Sequence, residues 1–243
     1  MNRFCASTVV ILSFALRGPA CLGRESGLIG VLAAMDSELG GLKKEVEIVG
    51  TSFQFGDRSV YQARFEGRRM LLAKTGATPE AARAMAQWLV NERQVSAVIS
   101  VGPAGSLSEE LQVGDVVTAE SAVNDGREPG ATVWDLRRMK DCDVKPVGKI
   151  VTVSAFMANS SERARLRERY HADLVDMSAA EIAGICANRR IPCVIVRQVS
   201  DRADEEALRA FARSSRSKQP ETIQPALCAI RQLGLGNGPD EHN

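Results

Sequence analysis

From residue 27 onward, apolar positions fall either in short continuous runs or at helical spacing, and the two patterns alternate along the chain. The first run, Leu28-Ile29-Gly30-Val31-Leu32-Ala33-Ala34, is apolar throughout and gives way to the polar turn Asp36-Ser37-Glu38. A continuous run of this length bounded by a turn predicts a strand buried on both faces. Ligand sites gather just past the C-terminal ends of such strands. Strand-like segments follow at 44–49, 58–65 and 69–74, the middle one clearly alternating. Gly76 breaks the pattern, and Pro79 opens a helix-spaced stretch that reaches Arg93. A second buried run, Val95 to Val101, ends in Gly102-Pro103-Ala104-Gly105-Ser106, which reads as a loop bringing backbone close to the sheet edge.

Further on, strands are expected near 113–118, 149–154, 172–177 and 192–199, with helices over 160–170, 178–189 and 202–213. Residues 119–146 have weak periodicity and carry Gly126, Pro129 and Gly130, so a long loop is predicted, a candidate substrate lid. Strands alternating with helices imply a mostly parallel sheet covered on both faces, with the early strand cluster adding hairpin pairing and making it mixed. One α/β domain at 27–233 accounts for the pattern, and 234–243 reads as a disordered tail. Residues 4–16 are apolar between Arg3 and the Arg17-Gly18-Pro19 exit. Residues 1–26 are therefore either a signal segment or an N-terminal extension, including one from an early start codon. Cytoplasmic residence goes with the second reading and export with the first.

Composition narrows the function. The 243 residues suffice for one domain, and 44% hydrophobic with 25% charged residues is ordinary for a globular chain. A net charge of +1 without a basic stripe leaves no electrostatic footprint for nucleic acid. No stretch suits a membrane span in the 27–233 domain, which points to a small-molecule partner. The six cysteines show no CxxC spacing and His171 and His242 are the only histidines, which argues against a zinc site, and most of the cysteines read as buried apolar fillers.

Four segments in order carry a resemblance: Ile29-Gly30 through Met35-Asp36-Ser37-Glu38; Lys74-Thr75-Gly76 with Val101-Gly102-Pro103-Ala104-Gly105; Val175-Asp176-Met177-Ser178-Ala179; and Val196-Arg197-Gln198-Val199-Ser200-Asp201. Together they resemble the 5′-methylthioadenosine/S-adenosylhomocysteine nucleosidases of the nucleoside phosphorylase and hydrolase superfamily, over roughly residues 27 to 233. The resemblance implies a three-layer α/β/α fold, a homodimer, no metal or organic cofactor, and hydrolysis of an N-ribosidic bond to release adenine. Such a reaction passes through an oxocarbenium-like state and needs an acid at the leaving base and a base at the water. By resemblance Asp201 is the acid and Glu38 the water-activating base. Phe156 and Met157 match the residues around the purine, Met177 lies under the ribose, and Met35 and Phe211 match the apolar wall at the 5′ substituent. Ala104, Gly105, Asp176, Ser178 and Ser200 complete the expected substrate contacts. Read without the resemblance, Asp201 is a helix N-cap, Glu38 a first-turn surface acid, and the apolar positions core packing.

The chain also departs from that pattern. Ser178 stands where the family has the acid that grips the ribose hydroxyls, with Glu181 one helical turn on; Pro103 replaces a serine; and 119–146 lacks the family's histidine and aromatic pattern. Three alternatives stay open: a phosphorylase on the same fold, a hydrolase acting on another nucleoside such as futalosine, and a non-catalytic nucleoside-binding protein. Asp36 and Glu38 after the first strand would repel a phosphate, which weighs against the phosphorylase.

Overall fold

The computed structural model describes residues 27–50, 52–76, 78–132, 139, 141–214 and 220–233. The segment 1–26 and the tail 234–243 lie outside the described residues. Strands β1 (Ile29–Ala33), β5 (Arg68–Lys74), β6 (Ala97–Ser106) and β11 (Cys193–Asp201) form the parallel centre of the sheet. Val31 of β1 lies between Leu72 of β5 and Ile99 of β6, and a strand flanked on both sides can be apolar throughout. Beyond β5 the antiparallel β4 (Arg58–Phe65) pairs with β2 (Glu47–Ile48) and β3 (Phe53–Phe55), the hairpin cluster that makes the sheet mixed. Beyond β11 come β7 (Val116–Asn124), β9 (Lys145–Thr152) and β10 (Leu174–Asp176), with β8 (Arg127–Thr132) hairpinned onto β7. Strand β10 pairs with β9 and also with the end of β6, so this half of the sheet curls back on itself.

Alternate residues of β1 face opposite layers. Ile29, Val31 and Ala33 pack with Leu42 of α1 (Asp36–Glu45) and with Ile223 and Leu227 of α6 (Ile223–Leu233). Leu32 faces Met85 of α2 (Pro79–Gln87) and Ile182 of α4 (Ala179–Asn188). The expected three-layer α/β/α arrangement is therefore what the chain adopts. A third apolar cluster joins Leu166 and Tyr170 of α3 (Ser160–Tyr170) to Val151, Val153, Val175 and Ala203 beneath the strand ends. Each fully buried aliphatic side chain contributes about 1.5–3 kcal/mol of apolar transfer.

Several boundaries differ from the sequence reading. Residues 119–146 are largely not a loop: β7 and β8 form a hairpin and β9 begins at Lys145. Small residues such as Thr118, Ala119 and Ala122 are buried in β7, so the segment lacks the bulky alternation that marks a strand. The polar turn after β1 is the start of α1, whose Gly40-Gly41 pair masks it; a Cβ on Gly41 would come within 3.1 Å of Ile223. That helix runs to Glu45 and reduces the expected 44–49 strand to β2. The Gly102–Ser106 stretch is the last half of β6, not a loop. The final helix-spaced stretch becomes α5 only at Ala207 (Ala207–Ser214). Cys142 and Cys228 are not apolar fillers but a disulfide spanning 86 residues that ties the chain before β9 to α6; Cys186 and Cys193 are buried free thiols.

Candidate active site

A cavity of about 310 Å³ opens where the C-terminal ends of β1, β6, β10 and β11 converge with the segment after β9 and with α5. Met35 enters it after β1, Ala104 and Gly105 from β6, Phe156 and Met157 after β9, and Asp176, Met177 and Ser178 from the end of β10. Ser200 and Asp201 end β11, and Phe211 comes from α5. All the sequence-predicted site residues except Glu38 thus line one chamber. For β1, β6 and β11 strand order dictates this gathering, because parallel neighbours bring their C-terminal ends to one edge; β10 arrives there by its antiparallel pairing with the end of β6.

Asp201 is 2% exposed and held on both oxygens. Oδ2 accepts from Ser200 Oγ at 2.6 Å and Oδ1 from the Ala203 amide at 2.9 Å. Ala203 has φ +53°, a left-handed backbone that bends the chain around the carboxyl before α5 begins. The N-cap reading of Asp201 fails because α5 starts six residues on, at Ala207. Burial pushes the Asp201 carboxyl above the ordinary aspartate range; the hydrogen bonds from Ser200 and Ala203 oppose it, and the neighbouring Asp204 charge adds to it. Gly105 makes room: a Cβ there would stand 2.9 Å from Asp201 Oδ1.

Glu38 is 6% exposed, so it is not a surface acid. It lines a smaller cavity of about 30 Å³ that shares Met35, Pro103 and Ser200 with the larger one. Its Oε2 accepts from the Met35 amide at 3.0 Å and from Ser37 Oγ at 3.3 Å, the reach-back of an acid in the first helical turn. Burial raises this carboxyl too, while backbone hydrogen bonds, Ser37 and the Arg197 charge pull it down. Asp36 turns outward to Lys74 Nζ at 2.7 Å.

Arg197, which the sequence reading assigned no role, is 1% exposed and organises the chamber floor. Its Nε and Nη2 donate to Asp176 Oδ2 at 3.1 and 2.9 Å, Nη1 donates to the Ser100 and Val196 carbonyls at 3.0 Å each, and Nη2 also reaches Ser100 Oγ and Ser178 Oγ. Asp176 Oδ2 accepts as well from Ser178 Oγ at 3.1 Å and the Ala179 amide at 2.9 Å. Oδ1 accepts from Thr152 Oγ1 at 2.7 Å and from the Ser178 and Ala179 amides at 3.2 Å each. A charged residue inside the apolar run Val194 to Val199 was the available signal, since such a group must be paired when buried. Glu181 does not reach the chamber: it pairs with Arg83 Nε at 2.5 Å and lines a neighbouring cavity.

The remaining lining is mostly apolar. Phe156, at 42% exposure, meets Phe211 edge to face with ring centroids 5.5 Å apart, so the two form one aromatic flank at the mouth. Ala34, Thr75, Gly76, Pro103, Val153, Ala155 and Val175 also contribute and were not among the expected substrate contacts. Pro103 lies between the β1 pairing, which ends at Val101, and the β10 pairing, which begins at Gly105, a stretch of edge where a residue without an N–H is accommodated. Among the described residues no three His, Cys, Asp or Glu side chains gather as a metal site, and no helix is long and apolar enough to cross a membrane.

Comparison with known proteins places this geometry. The 5′-methylthioadenosine/S-adenosylhomocysteine nucleosidase of Neisseria meningitidis, solved with methylthio-immucillin-A, is similar at 26% identity and a TM-score of 0.75, over 85% of this chain and 98% of that one. Futalosine hydrolase of Helicobacter pylori shares the fold at 18% identity and a TM-score of 0.75, over 86% and 97%. The S-adenosylhomocysteine nucleosidase of Streptococcus pyogenes does so at 22% identity and a TM-score of 0.75, over 89% and 99%. The phosphorylase superfamily model matches residues 28–137 and 135–229, nearly the whole described chain, and to that superfamily this protein belongs.

Proposed function

We propose that the chain is a nucleosidase that hydrolyses the N-ribosidic bond of 5′-methylthioadenosine, S-adenosylhomocysteine or a closely similar nucleoside, releasing adenine. The observation that carries this reading is the pair of buried carboxyls: Asp201 in the chamber wall and Glu38 in the adjoining cavity, joined through Met35, Pro103 and Ser200. Binding alone needs no such pair. The purine lies against Phe156 and Met157, the sugar over Met177, and a thioether at the 5′ carbon meets the apolar side chains of Met35 and Phe211.

As the C1′–N9 bond breaks, its electron pair passes to the purine and Asp201 delivers its proton to a purine ring nitrogen. The sugar becomes oxocarbenium-like at C1′. A water attacks that carbon and gives its proton to Glu38, so the products are free adenine and the 5-substituted ribose. The two environments suit these roles. Burial raises both carboxyls; on top of it the Asp204 charge favours protonated Asp201, whereas the backbone hydrogen bonds, Ser37 and the Arg197 charge draw Glu38 back toward its ionised form. Phosphorolysis is disfavoured because no lysine or arginine is among the described residues lining the chamber, and a phosphate needs cationic donors.

Asp201→Asn and Glu38→Gln test the assignment. Each is expected to lower turnover by about two to four orders of magnitude with the fold intact. Either variant retaining more than about a tenth of wild-type turnover overturns the role given to that residue.

A further inference from the structure

We infer that the sugar end of the chamber is indifferent to the 2′-hydroxyl, so that 5′-modified 2′-deoxyadenosines are ligands of the same rank as the ribonucleosides. This rests on the nucleoside reading of the chamber given above. A sugar hydroxyl gains most from an ionised acceptor with a free lone pair. At the chamber floor the ionisable acceptor is Asp176, and an ionised carboxylate offers about four lone-pair positions. Thr152, the Ser178 and Ala179 amides, Ser178 Oγ and Arg197 together occupy both of its oxygens.

The neighbouring groups are equally committed. Ser178 Oγ donates to Asp176 and accepts from Arg197 Nη2 at 3.1 Å, so its one proton is spent inside the network. The guanidinium of Arg197 is divided among Asp176, Ser178, Ser100 and the Val196 carbonyl and leaves no donor for a ligand. Glu181, the next acid along the chain, is held by Arg83 outside the chamber. A 2′-hydroxyl entering here meets only the second lone pair of Ser178 Oγ, a neutral acceptor, or must break a bond of a buried ion pair to make one of its own, and either way the net gain is small. Ser178 thereby acts as a specificity-determining residue through what it does not offer.

The test uses two ligands with an uncleavable carbon–carbon glycosidic bond, 5′-methylthio-9-deazaadenosine and its 2′-deoxy counterpart, titrated calorimetrically into the wild-type protein and Ser178→Ala. Both should bind the wild type, with affinities within about fivefold of each other, and Ser178→Ala should leave that ratio within about fivefold of the wild-type one. A ribose preference of about tenfold or more, the size of a charge-assisted hydroxyl bond, overturns the inference while leaving the nucleoside reading standing. A ratio shifted about tenfold or more by Ser178→Ala overturns it as well, because the serine hydroxyl then touches the sugar. Failure of both ligands to bind overturns the nucleoside reading itself, and this inference with it.

Discussion

Replacing Gly105 by alanine isolates the positioning of Asp201 from its chemistry. Gly105 lies in β6 between Val175 of β10 and Asp201 of β11. Its added Cβ would stand 2.9 Å from Asp201 Oδ1, 3.1 Å from Val175 Cγ1 and 3.2 Å from the Ala203 Cβ. Comfortable heavy-atom contacts begin near 3.5 Å, so the carboxyl must retreat by roughly half an ångström. That movement stretches the 2.6 Å bond from Ser200 and the 2.9 Å bond from Ala203. Overpacking of this kind costs about 1–3 kcal/mol of stability. A misplacement of about 1 Å costs on the order of a hundredfold in rate, so a half-ångström shift should lower turnover by roughly tenfold. Gly30→Ala is the control: its Cβ meets the flexible end of Leu89 at 3.2 Å and Val95 at 3.5 Å, far along β1 from the chamber. It should lose stability of about 1 kcal/mol and keep wild-type turnover. Urea denaturation and adenine release, measured on both variants, decide the matter. If Gly105→Ala loses stability yet keeps turnover within about twofold, the carboxyl's position is not what the reaction depends on.

Asp201→Asn should also raise thermal stability near neutral pH. The folded Asp201 carboxyl titrates above its ordinary value of 3.8, so its contribution is complete below that value and is lost as pH rises through the raised one. The stability gain of the amide should therefore grow with pH from the acid side and vanish at low pH, which melting curves across the range will read; a gain independent of pH contradicts the burial argument. Turnover over Michaelis constant should fall on the alkaline side as Asp201 loses its proton and on the acid side as Glu38 gains one, and a flat profile contradicts the assigned pair. Arg197→Met, which strands Asp176 as an unpaired buried charge, should cost about 3–5 kcal/mol in urea denaturation, and a loss below about 1 kcal/mol refutes the pairing. Reducing Cys142–Cys228, or replacing both cysteines by serine, should cost about 2–5 kcal/mol for a closure of 86 residues, and an unchanged melting temperature under reductant contradicts the disulfide.

What the sequence revealed of this fold follows from how each segment is buried. Strand β1 is flanked on both edges and covered on both faces, so it appears as an unbroken apolar run; β11, placed likewise, is apolar but for Arg197, Gln198 and its polar end; and β4, with one face wetter than the other, appears as alternation. The expected strand near 113–118 caught only the start of β7; its continuation to Asn124 escaped notice because small residues such as Ala119 and Ala122 fill buried positions there. Helix α1 was hidden by Gly40-Gly41; at Gly41 the missing side chain serves close approach to α6 rather than a turn. Gly102 and Gly105 misled in the same way: they looked like a loop, but each sits within a strand where a Cβ would strike Ala34 or Asp201. In the chamber, the positions carried over by resemblance gathered in space, whereas the Asp176–Arg197–Ser178 network was not foreseen. Partners of a buried charge depend on strand register, and Arg197 meets Asp176 and Ser100 across 21 and 97 residues of sequence. The Cys142–Cys228 pairing was illegible for the same reason, because spacing alone does not bring a segment before β9 against α6.

The most direct test of the central claim is to incubate the purified protein with 5′-methylthioadenosine, with and without inorganic phosphate, and to follow both products. Free adenine and 5-methylthioribose should form at the same rate in both conditions, because the described residues lining the chamber offer carboxyls, hydroxyls and apolar groups and no cationic side chain. Adenine release only when phosphate is present, with the sugar recovered as its 1-phosphate, would contradict hydrolysis; no release from this substrate, from S-adenosylhomocysteine or from adenosine would contradict the nucleosidase reading altogether.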